Sequence, residues 1–361
     1  MTPVASQRSE VAVVVLNWNG LSHLQTYLPP LLAGTTEDIA IWVADNGSTD
    51  ESLTWLASNH ADRIQLLPMA VNHGFAEGYN WALQEIDADT YVLLNSDVRV
   101  TPGWMDIVLQ EMKVHGWSAA SPLIVQDDDP RLCEHAGAAG GWMDGDGYPF
   151  CLGRIFGATE PVDVWHRQSR DVFWASGACF FIRKEAWQEA GGFDGDLFAH
   201  MEEIDLCWRL QDLGHRIGCA GNATVQHLGG GTLQASSPFK TYLNFRNNLI
   251  VMLKNRQGWW PGFMFRRMTL DGMAAFRMLG SGDWRQFLAV GKAHGGLYLA
   301  LPRVLKQRRA LQNIRVRRGP LKGWWSGSIV WSHFIRGVQR ARDLKGLDWP
   351  ADPQSIAAPS K

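Results

Sequence analysis

The chain reads Tyr91-Val92-Leu93-Leu94-Asn95-Ser96-Asp97 at the point where an apolar run gives way to a short polar turn. The apolar residues predict a buried strand, and the turn places the carboxylate of Asp97 just past its carboxyl end. Open α/β sheets bind ligands at this edge, and hard divalent cations prefer oxygen ligands. The turn therefore indicates a metal held against a phosphorylated substrate, although an Asp at such a junction can instead cap a helix.

Strand and helix patterns alternate on both sides of this turn. Strands are predicted at residues 11–16, 39–44, 64–67, 91–94, 173–183 and 220–226, and helices at 22–32, 76–86, 102–114, 184–190 and 202–213. Such alternation is typical of an α/β protein with a doubly wound parallel sheet covered by helices. Residues 126–172 break the pattern, and we expect them to form an inserted loop or hairpin over the ligand-binding edge.

Charge divides the chain into two unlike parts. Residues 1–239 hold 12 Lys and Arg against 31 Asp and Glu, whereas residues 240–345 hold 21 against 3, and the whole chain has a net charge of −2. We expect an acidic folded domain at 10–239, a basic, aromatic-rich helical region at 240–345, and disordered ends at 1–9 and 346–361.

The basic region admits three interpretations. Aromatic rings among Lys and Arg suit the surface of an anionic membrane, which is the interpretation that we favour. Packing against the acidic domain, with contacts in a homo-oligomer, would use the same charges. Nucleic acid would accept them as well, but no nucleic-acid-binding motif accompanies them, so we expect no such partner.

Several features point to a cytoplasmic protein at the inner face of the plasma membrane. No apolar stretch reaches the roughly 18 residues that a spanning helix needs. The first residues lack a secretory pattern. The five cysteines show neither a metal-binding pair nor a disulfide framework. We therefore expect peripheral attachment to the membrane.

Eight short motifs, taken in order, carry a resemblance to a known family. They are Val15-Leu16-Asn17-Trp18-Asn19-Gly20, Val43-Ala44-Asp45-Asn46-Gly47-Ser48-Thr49-Asp50, Asn72-His73-Gly74-Phe75-Ala76-Glu77-Gly78-Tyr79-Asn80, Leu94-Asn95-Ser96-Asp97, Ser176-Gly177-Ala178-Cys179, Gly191-Gly192-Phe193-Asp194, Glu202-Glu203-Ile204-Asp205 and His227-Leu228-Gly229-Gly230-Gly231. Over residues 11–255 the chain closely resembles the family 2 glycosyltransferases of the GT-A fold, particularly the branch that includes bacterial rhamnosyltransferases.

The resemblance implies roles for particular residues. It implies that Asp97 and His227 bind Mg²⁺ or Mn²⁺ and that Glu203 is the general base, with Glu202 or Asp205 able to carry part of that role. It also implies a donor-binding site. The implied donor-binding residues are Asn17, Asn19, Asp45, Asn46, Asn72, Gly74, Phe75, Gly78, Asn80, Asn95 and Ser96.

By the same resemblance, the chain would be an inverting, metal-dependent hexosyltransferase. It would move a sugar, as best guess L-rhamnose from dTDP-L-rhamnose, to a glycan or lipid-linked acceptor in cell-surface polysaccharide synthesis. Other donors, such as a UDP-hexose or UDP-galactofuranose, stay open. The chain departs from the family at Asn95 and Glu203, where Asp is commoner.

These departures keep open a non-catalytic scaffold that binds nucleotide or glycan. A nucleotidyltransferase is a further alternative, but it would normally need a basic Gly-rich loop, and residues 16–20 contain no Lys or Arg.

Overall fold

The computed structural model describes residues 9–134, 137–229, 237–317 and 319–347. The first strand begins at Ser9, one residue inside the amino-terminal segment that we expected to be disordered. Residues 1–8 and 348–361, the remainder of that segment and most of the expected tail, lie outside the described residues.

The described residues form thirteen strands in two sheets. The strands are β1 (Ser9–Asn17), β2 (Ala40–Asp45), β3 (Gln65–Pro68), β4 (Ala88–Asn95), β5 (Val98–Val100), β6 (Ala119–Gln126), β7 (Gly141–Met143), β8 (Pro149–Cys151), β9 (Arg154–Ile155), β10 (Ala158–Thr159), β11 (Arg170–Asp171), β12 (Cys179–Arg183) and β13 (Ile217–His227). The main sheet has the order β11-β13-β6-β12-β4-β1-β2-β3, with β5 paired to β13, and a smaller sheet has the order β10-β9-β8-β7.

The main sheet is mixed, which corrects the prediction of a parallel sheet. Strands β1, β2, β3 and β4 are parallel as predicted, but β12 is antiparallel to both β4 and β6. The inserted segment, which forms the smaller sheet, returns at the carboxyl end of β4, where Asn95 N donates to Ala178 O at 3.0 Å. A strand that starts there has to run back along β4. It begins at Cys179, six residues later than predicted, because Phe173 and Trp174 pair instead with Gly141 of the smaller sheet.

Helices cover both faces of the main sheet. The helices are α1 (Leu21–Ala33), α2 (Ser52–Asn59), α3 (Gly74–Glu85), α4 (Trp104–His115), α5 (Lys184–Ala190), α6 (Glu202–Asp212), α7 (Pro238–Asn255), α8 (Trp260–Gly280), α9 (Trp284–Ile314) and α10 (Ile329–Phe334). In β1, Val13 and Val15 face the cluster that contains α1, α2 and α4, whereas Ala12 and Val14 face α3, α6 and α7. This alternation follows from the two-residue period of a strand.

The basic carboxy-terminal helices share a core with the sheet. Leu249, Val251 and Met252 of α7 belong to the same buried cluster as strand and α6 side chains. Cations of the region pair with acids of the preceding domain. These pairs include Arg266 with Asp146, Arg303 with Asp194, Arg315 and Arg317 with Asp212, and Arg342 with Asp163. The packing interpretation therefore describes the inner face of the region, and the domain boundary at 239/240 stays a prediction.

Candidate active site

The turns that follow β1 and β2 lie side by side at the carboxyl edge of the sheet. Asn17 Nδ2 donates to Asp45 Oδ1 at 2.9 Å, and Ser48 N donates to Asp45 Oδ2 at 3.0 Å. Asn19 joins the turn because its Oδ1 accepts from Thr49 N at 2.7 Å. Asn17 Oδ1 is buried and accepts no hydrogen bond from any of the described residues, so one acceptor atom of this turn is unused. The structure thus brings these three predicted donor-binding residues together, and their contact with a nucleotide stays a prediction.

Asn46 holds the loop that precedes α3. Its Nδ2 donates to Asn72 Oδ1 at 3.0 Å and to Gly74 O at 2.9 Å. Gly74 has φ +79°, and a Cβ there would lie 2.5 Å from the ring of Phe198. Only glycine fits this conformation and this contact. Phe198 O in turn accepts from Phe75 N at 2.7 Å, so the loop before α6 caps the first turn of α3.

Two further predicted donor-binding residues on α3 make close structural contacts. Asn80 clamps the backbone of Phe193, since its Nδ2 donates to Phe193 O at 3.0 Å and its Oδ1 accepts from Phe193 N at 2.9 Å. A Cβ on Gly78 would lie 3.1 Å from both Asn46 Nδ2 and Leu16 Cδ1. The lack of a side chain at Gly78 thus allows α3 to approach the sheet edge.

Asp97 and His227 meet at the carboxyl edge, as the sequence predicts. β5 begins directly after Asp97 and pairs with the end of β13, with Val98 opposite His227. His227 Nε2 lies 3.2 Å from Asp97 Oδ1, and His227 Nδ1 lies 3.2 Å from Glu134 Oε2. All three side chains are buried. Asn95 and Ser96, on the same turn, are partly exposed.

The pair of carboxylates strongly favours the charged imidazole. Burial by itself lowers the pKa of His227, but the hydrogen bonds and charges of Asp97 and Glu134 outweigh burial and raise this pKa to about 10. Burial by itself raises the pKa of Asp97, but the hydrogen bond and charge of His227 hold it below its usual range. A positive charge therefore lies between two buried carboxylates.

Asp97 and His227 are the residues that could hold a divalent ion. Mg²⁺ and Mn²⁺ accept a carboxylate and substrate phosphates, and imidazole is a known ligand of Mn²⁺-class ions. Such binding would require His227 to release its proton. In the described ranges, no group of three or more His, Cys, Asp or Glu side chains could by itself hold a metal ion. Two side chains leave most coordination positions of such an ion open, so the predicted ion would take its remaining ligands from water and a bound diphosphate.

Glu134 is a site residue that the sequence did not reveal. It lies in the inserted segment after β6, and no recognised motif surrounds it. Its carboxylate contacts the ring nitrogen of His227 that faces away from Asp97. Carboxylates in this position commonly orient metal-binding histidines. The acidic run at 127–129 is the nearest sequence feature that could have drawn attention to this part of the chain.

The loop before α6 brings Glu203 to the same edge. His200 and Met201 have φ of 70° and 76°, a left-handed conformation that is uncommon outside glycine and clusters at functional sites. A Cβ on Gly177 would lie 3.7 Å from Glu203 Cβ. Gly177 is adjacent to Ala178, which bonds to Asn95 of the Asp97 turn. Glu203 and Asp97 therefore border one region of the sheet edge.

Glu203 and Glu202 have carboxyl groups that resist ionisation. Burial raises the pKa of Glu203 to about 7. Burial, together with the charge of Glu203, raises the pKa of Glu202 well above its usual range. In the described part of the chain, Oε2 of each residue is buried without a hydrogen-bond partner. A carboxyl group that is half ionised near neutral pH suits a general base.

Asp205 has a structural environment instead. Its oxygens accept from Arg209 Nε at 2.9 Å, from Lys254 Nζ at 2.8 Å and from Asn255 Nδ2 at 2.7 Å. Burial by itself raises the pKa of Asp205, but the charges of Lys254 and Arg209 outweigh it and hold this pKa below its usual range. A fully buried carboxylate with three donors is poorly placed to accept a substrate proton, so the structure argues against a share in the base role for Asp205.

Asn247 of α7 holds the loop that leads into α6 and Glu203. Its Nδ2 donates to the carbonyls of Leu197, Ala199 and His200 at 2.8–2.9 Å. No sequence signal marked this residue, because its function depends on a contact across about fifty residues of chain. A side chain of the basic region thus stabilises the left-handed conformation of this loop.

The architecture defines the class of protein first. The mixed sheet, covered by helices on both faces and with the predicted ligand-binding residues at its carboxyl edge, is the GT-A fold. A solved structure, "Crystal structure of GalNAc-T7 with UDP, GalNAc and Mn2+", superposes with a TM-score of 0.57 at 15% identity, covering 91% of this chain and 57% of that chain. The predicted fold class is therefore confirmed, apart from the strand directions corrected above.

Sequence comparison then gives the family. Residues 12–189 match the family model Glycosyl transferase family 2. The chain is 28% identical over 287 residues to the N-acetylglucosaminyl-diphospho-decaprenol L-rhamnosyltransferase of Mycobacterium tuberculosis (strain ATCC 25618 / H37Rv), covering 73% of this chain and 90% of that protein. It is 27% identical to the O-antigen biosynthesis protein RfbC of Myxococcus xanthus, covering 41% of this chain and 12% of that protein. Residues 12–189 thus form a family 2 glycosyltransferase domain, and the comparisons support a nucleotide-sugar glycosyltransferase of the rhamnosyltransferase-like branch.

Proposed function

We propose that this chain is an inverting transferase that moves L-rhamnose from dTDP-L-rhamnose to a lipid-linked glycan in cell-surface polysaccharide synthesis. The observation that carries the proposal is the position of Glu203. Glu203, whose carboxyl group has a pKa of about 7, packs beside Gly177, and the adjacent Ala178 bonds to Asn95 of the turn that carries Asp97. A base there would take the proton of an acceptor hydroxyl as the hydroxyl attacks the sugar.

The chain's own residues would divide the reaction between them. Asn17, Asp45 and Asn46 would position the nucleotide, and Glu203 would accept the acceptor's proton. Mg²⁺ or Mn²⁺, held by Asp97 and His227, would supply neutralisation of the charge that develops on the departing diphosphate. Attack on the face opposite the diphosphate would invert the anomeric centre.

The relative from Mycobacterium tuberculosis supports the acceptor class, since its name describes a diphospho-decaprenol acceptor. Among the helices that the structure describes, none has the length and apolar character needed for a bilayer crossing. We propose that the enzyme works in the cytoplasm and reaches a lipid-linked acceptor by attaching to the anionic inner face of the plasma membrane through the basic region.

The test is release of nucleoside diphosphate from a panel of nucleotide sugars, with a lipid-linked N-acetylglucosamine acceptor and with EDTA or Mn²⁺. Metal-dependent release from dTDP-L-rhamnose, faster than from UDP-hexoses or UDP-galactofuranose, is expected. Preference for a UDP-sugar would replace the donor assignment. Tight donor binding without turnover on any acceptor would favour the non-catalytic scaffold, to which the departures at Asn95 and Glu203 also point.

A further inference from the structure

Helices α8 and α9 form an antiparallel pair with an apolar end. The ring centroids of Phe276 and Phe287 lie 5.4 Å apart, and Tyr298 Oη lies 4.0 Å from Met268 Sδ, so the two helices run in opposite directions. Large apolar side chains at the joined end are between 41% and 67% exposed. They are Met273, Phe276, Leu279, Trp284 and Leu288, and we call them the hairpin tip.

The hairpin tip extends past the active-site end of α7. α7 and α9 run in the same direction, since Gly296 packs against Arg246 and Arg308 Nη1 donates to Leu253 O at 2.7 Å. In this register, α9 begins several residues before the level of Pro238, the first residue of α7. At 1.5 Å per residue, the tip protrudes by a distance on the order of 10 Å.

The amino-terminal end of α7 lies beside the loop that precedes α6. The ring centroid of Phe239 lies 6.2 Å from that of Phe198, whose carbonyl caps α3. Both rings are partly exposed. The hairpin tip and the active-site loops therefore lie toward the same end of the molecule.

Cations surround the hairpin tip. Arg277, Arg285 and Lys292 are exposed, and Arg277 lies over the ring of Phe334, 4.8 Å from its centroid. Acids are scarce in the whole region from 240 to 345, which has three. Of these, Asp271 is buried and pairs with Arg267, whereas Asp283 is exposed in the tip and accepts a hydrogen bond from Gln286 N.

We propose that the hairpin tip is the surface that inserts into the headgroup layer of an anionic membrane, with the active site held next to the lipid. The inference deepens the membrane part of the proposed function and rests on it. Apolar side chains framed by cations match the boundary between acyl chains and anionic headgroups. A second copy of the chain is a poorer occupant, because a two-fold interface would bring the same cations face to face.

The test is vesicle flotation with the full chain and two matched double variants. Phe276→Ser/Trp284→Ser removes apolar surface from the tip, and Phe265→Ser/Trp259→Ser removes the same two side-chain types at the far end of α8. Vesicles contain either phosphatidylglycerol with phosphatidylcholine or phosphatidylcholine alone. We expect the wild type and the far-end variant to float with the anionic vesicles and weaken in high salt, and the tip variant to bind at least tenfold more weakly.

The outcomes separate the two proposals. If the wild type does not bind anionic vesicles, the membrane part of the proposed function fails and the tip assignment fails with it. If the tip variant binds as well as the wild type, only the tip assignment is overturned. A dimer in light scattering that becomes a monomer in the tip variant would assign the tip to a protein interface and also overturn the proposal. Circular dichroism and donor turnover with a water-soluble acceptor check that the variants are folded.

Discussion

Lys254 Nζ lies 2.8 Å from Asp205 Oδ2, inside the core, and joins the basic region to the helix that carries Glu203. The same ammonium group lies 2.6 Å from Asp194 Oδ2. A buried cation thus joins α7 to two carboxylates that lie 49 and 60 residues earlier in the chain. The catalytic helix and α7 are thereby one packed unit.

Replacement of this cation should destabilise the whole protein. Lys254→Met keeps the length of the side chain but removes the cation that Asp194 and Asp205 share, leaving Arg303 beside Asp194 and Arg209 beside Asp205. We expect the free energy of unfolding to fall by about 3–5 kcal/mol, measured by urea denaturation. Lys292→Met, at an exposed position of α9, is the control and should change it by less than about 1 kcal/mol. Equal, small effects of both substitutions would show that the buried pair contributes little.

The sheet was predictable from the sequence because its strands obey local rules. The apolar runs of β1, β2 and β4 end in polar turns, and the spacing between them suits crossover helices. The direction of β12 was not predictable, since it depends on where the inserted segment returns to the sheet. No local pattern in residues 126–172 encodes that point of return.

The residues of the candidate site also fall into those that the sequence could predict and those that it could not. Asp97 follows a strand and His227 ends one, and the family motifs that contain them imply the metal role that we predict for both. Glu134 and Asn247 could not be predicted, because they act through contacts with His227 and with the loop before α6 that only the folded chain creates. Asp205 belongs to a motif as well, but its partner Lys254 comes from α7, so the sequence could not show that its charge is already used.

The hydrogen bonds from Asn247 to the loop before α6 give a second prediction. Asn247→Ala removes the donors that fix the carbonyls of residues 197, 199 and 200. The left-handed conformation of the loop is then less favoured, so we expect kcat to fall about tenfold or more, because small displacements of a catalytic group are costly. Steady-state kinetics at saturating donor measure this.

A matched control for Asn247 is available on the same helix. Asn244→Ala changes an exposed amide one turn earlier and should leave kcat within about twofold of wild type. Urea denaturation of both variants separates a positioning effect from loss of folded protein. An Asn247→Ala enzyme with normal kcat would mean that the loop keeps its shape without this side chain.

The Asp97–His227 pair predicts a metal-dependent donor site. Asp97→Ala should fold but lose Mn²⁺-dependent binding of the donor, measured by calorimetric titration of dTDP-L-rhamnose with and without Mn²⁺. The control is Asp128→Ala, which removes an exposed carboxylate from a nearby segment. Unchanged, Mn²⁺-dependent donor affinity in Asp97→Ala would remove Asp97 from the metal site.

Glu134 should affect the metal through His227. Glu134→Gln keeps the shape of the side chain but weakens the charge that orients the imidazole, and substitutions of this kind typically cost 10–100-fold in metal affinity. We expect Mn²⁺ affinity in the presence of nucleotide to fall within that range, while nucleotide affinity in EDTA stays unchanged. If both affinities fall together, Glu134 supports the fold of the site and has no separate effect on the metal ligand.

Two isosteric substitutions distinguish the adjacent carboxyl groups of α6. Glu203→Gln removes the proposed base, and we expect at least roughly 10²-fold lower turnover with donor affinity retained. Glu202→Gln is the control, because burial and the charge of Glu203 raise the pKa of Glu202 well above its usual range and so favour the neutral carboxyl group, which an amide resembles. Reversed effects of the two substitutions would transfer the base role to Glu202.

The raised pKa of Glu203 also fixes the direction of the pH profile. The base works only when ionised, and its pKa is about 7. Turnover at saturating donor should therefore fall by about tenfold for each pH unit below this value and level off above it. An unshifted glutamate, with a pKa near 4.3, would instead give a flat profile between pH 5 and 8. In Glu203→Gln the inflection near pH 7 should disappear from the residual activity, measured in the same buffers with metal held saturating. Persistence of the inflection in that variant would assign it to another group and leave Glu203 without the base role.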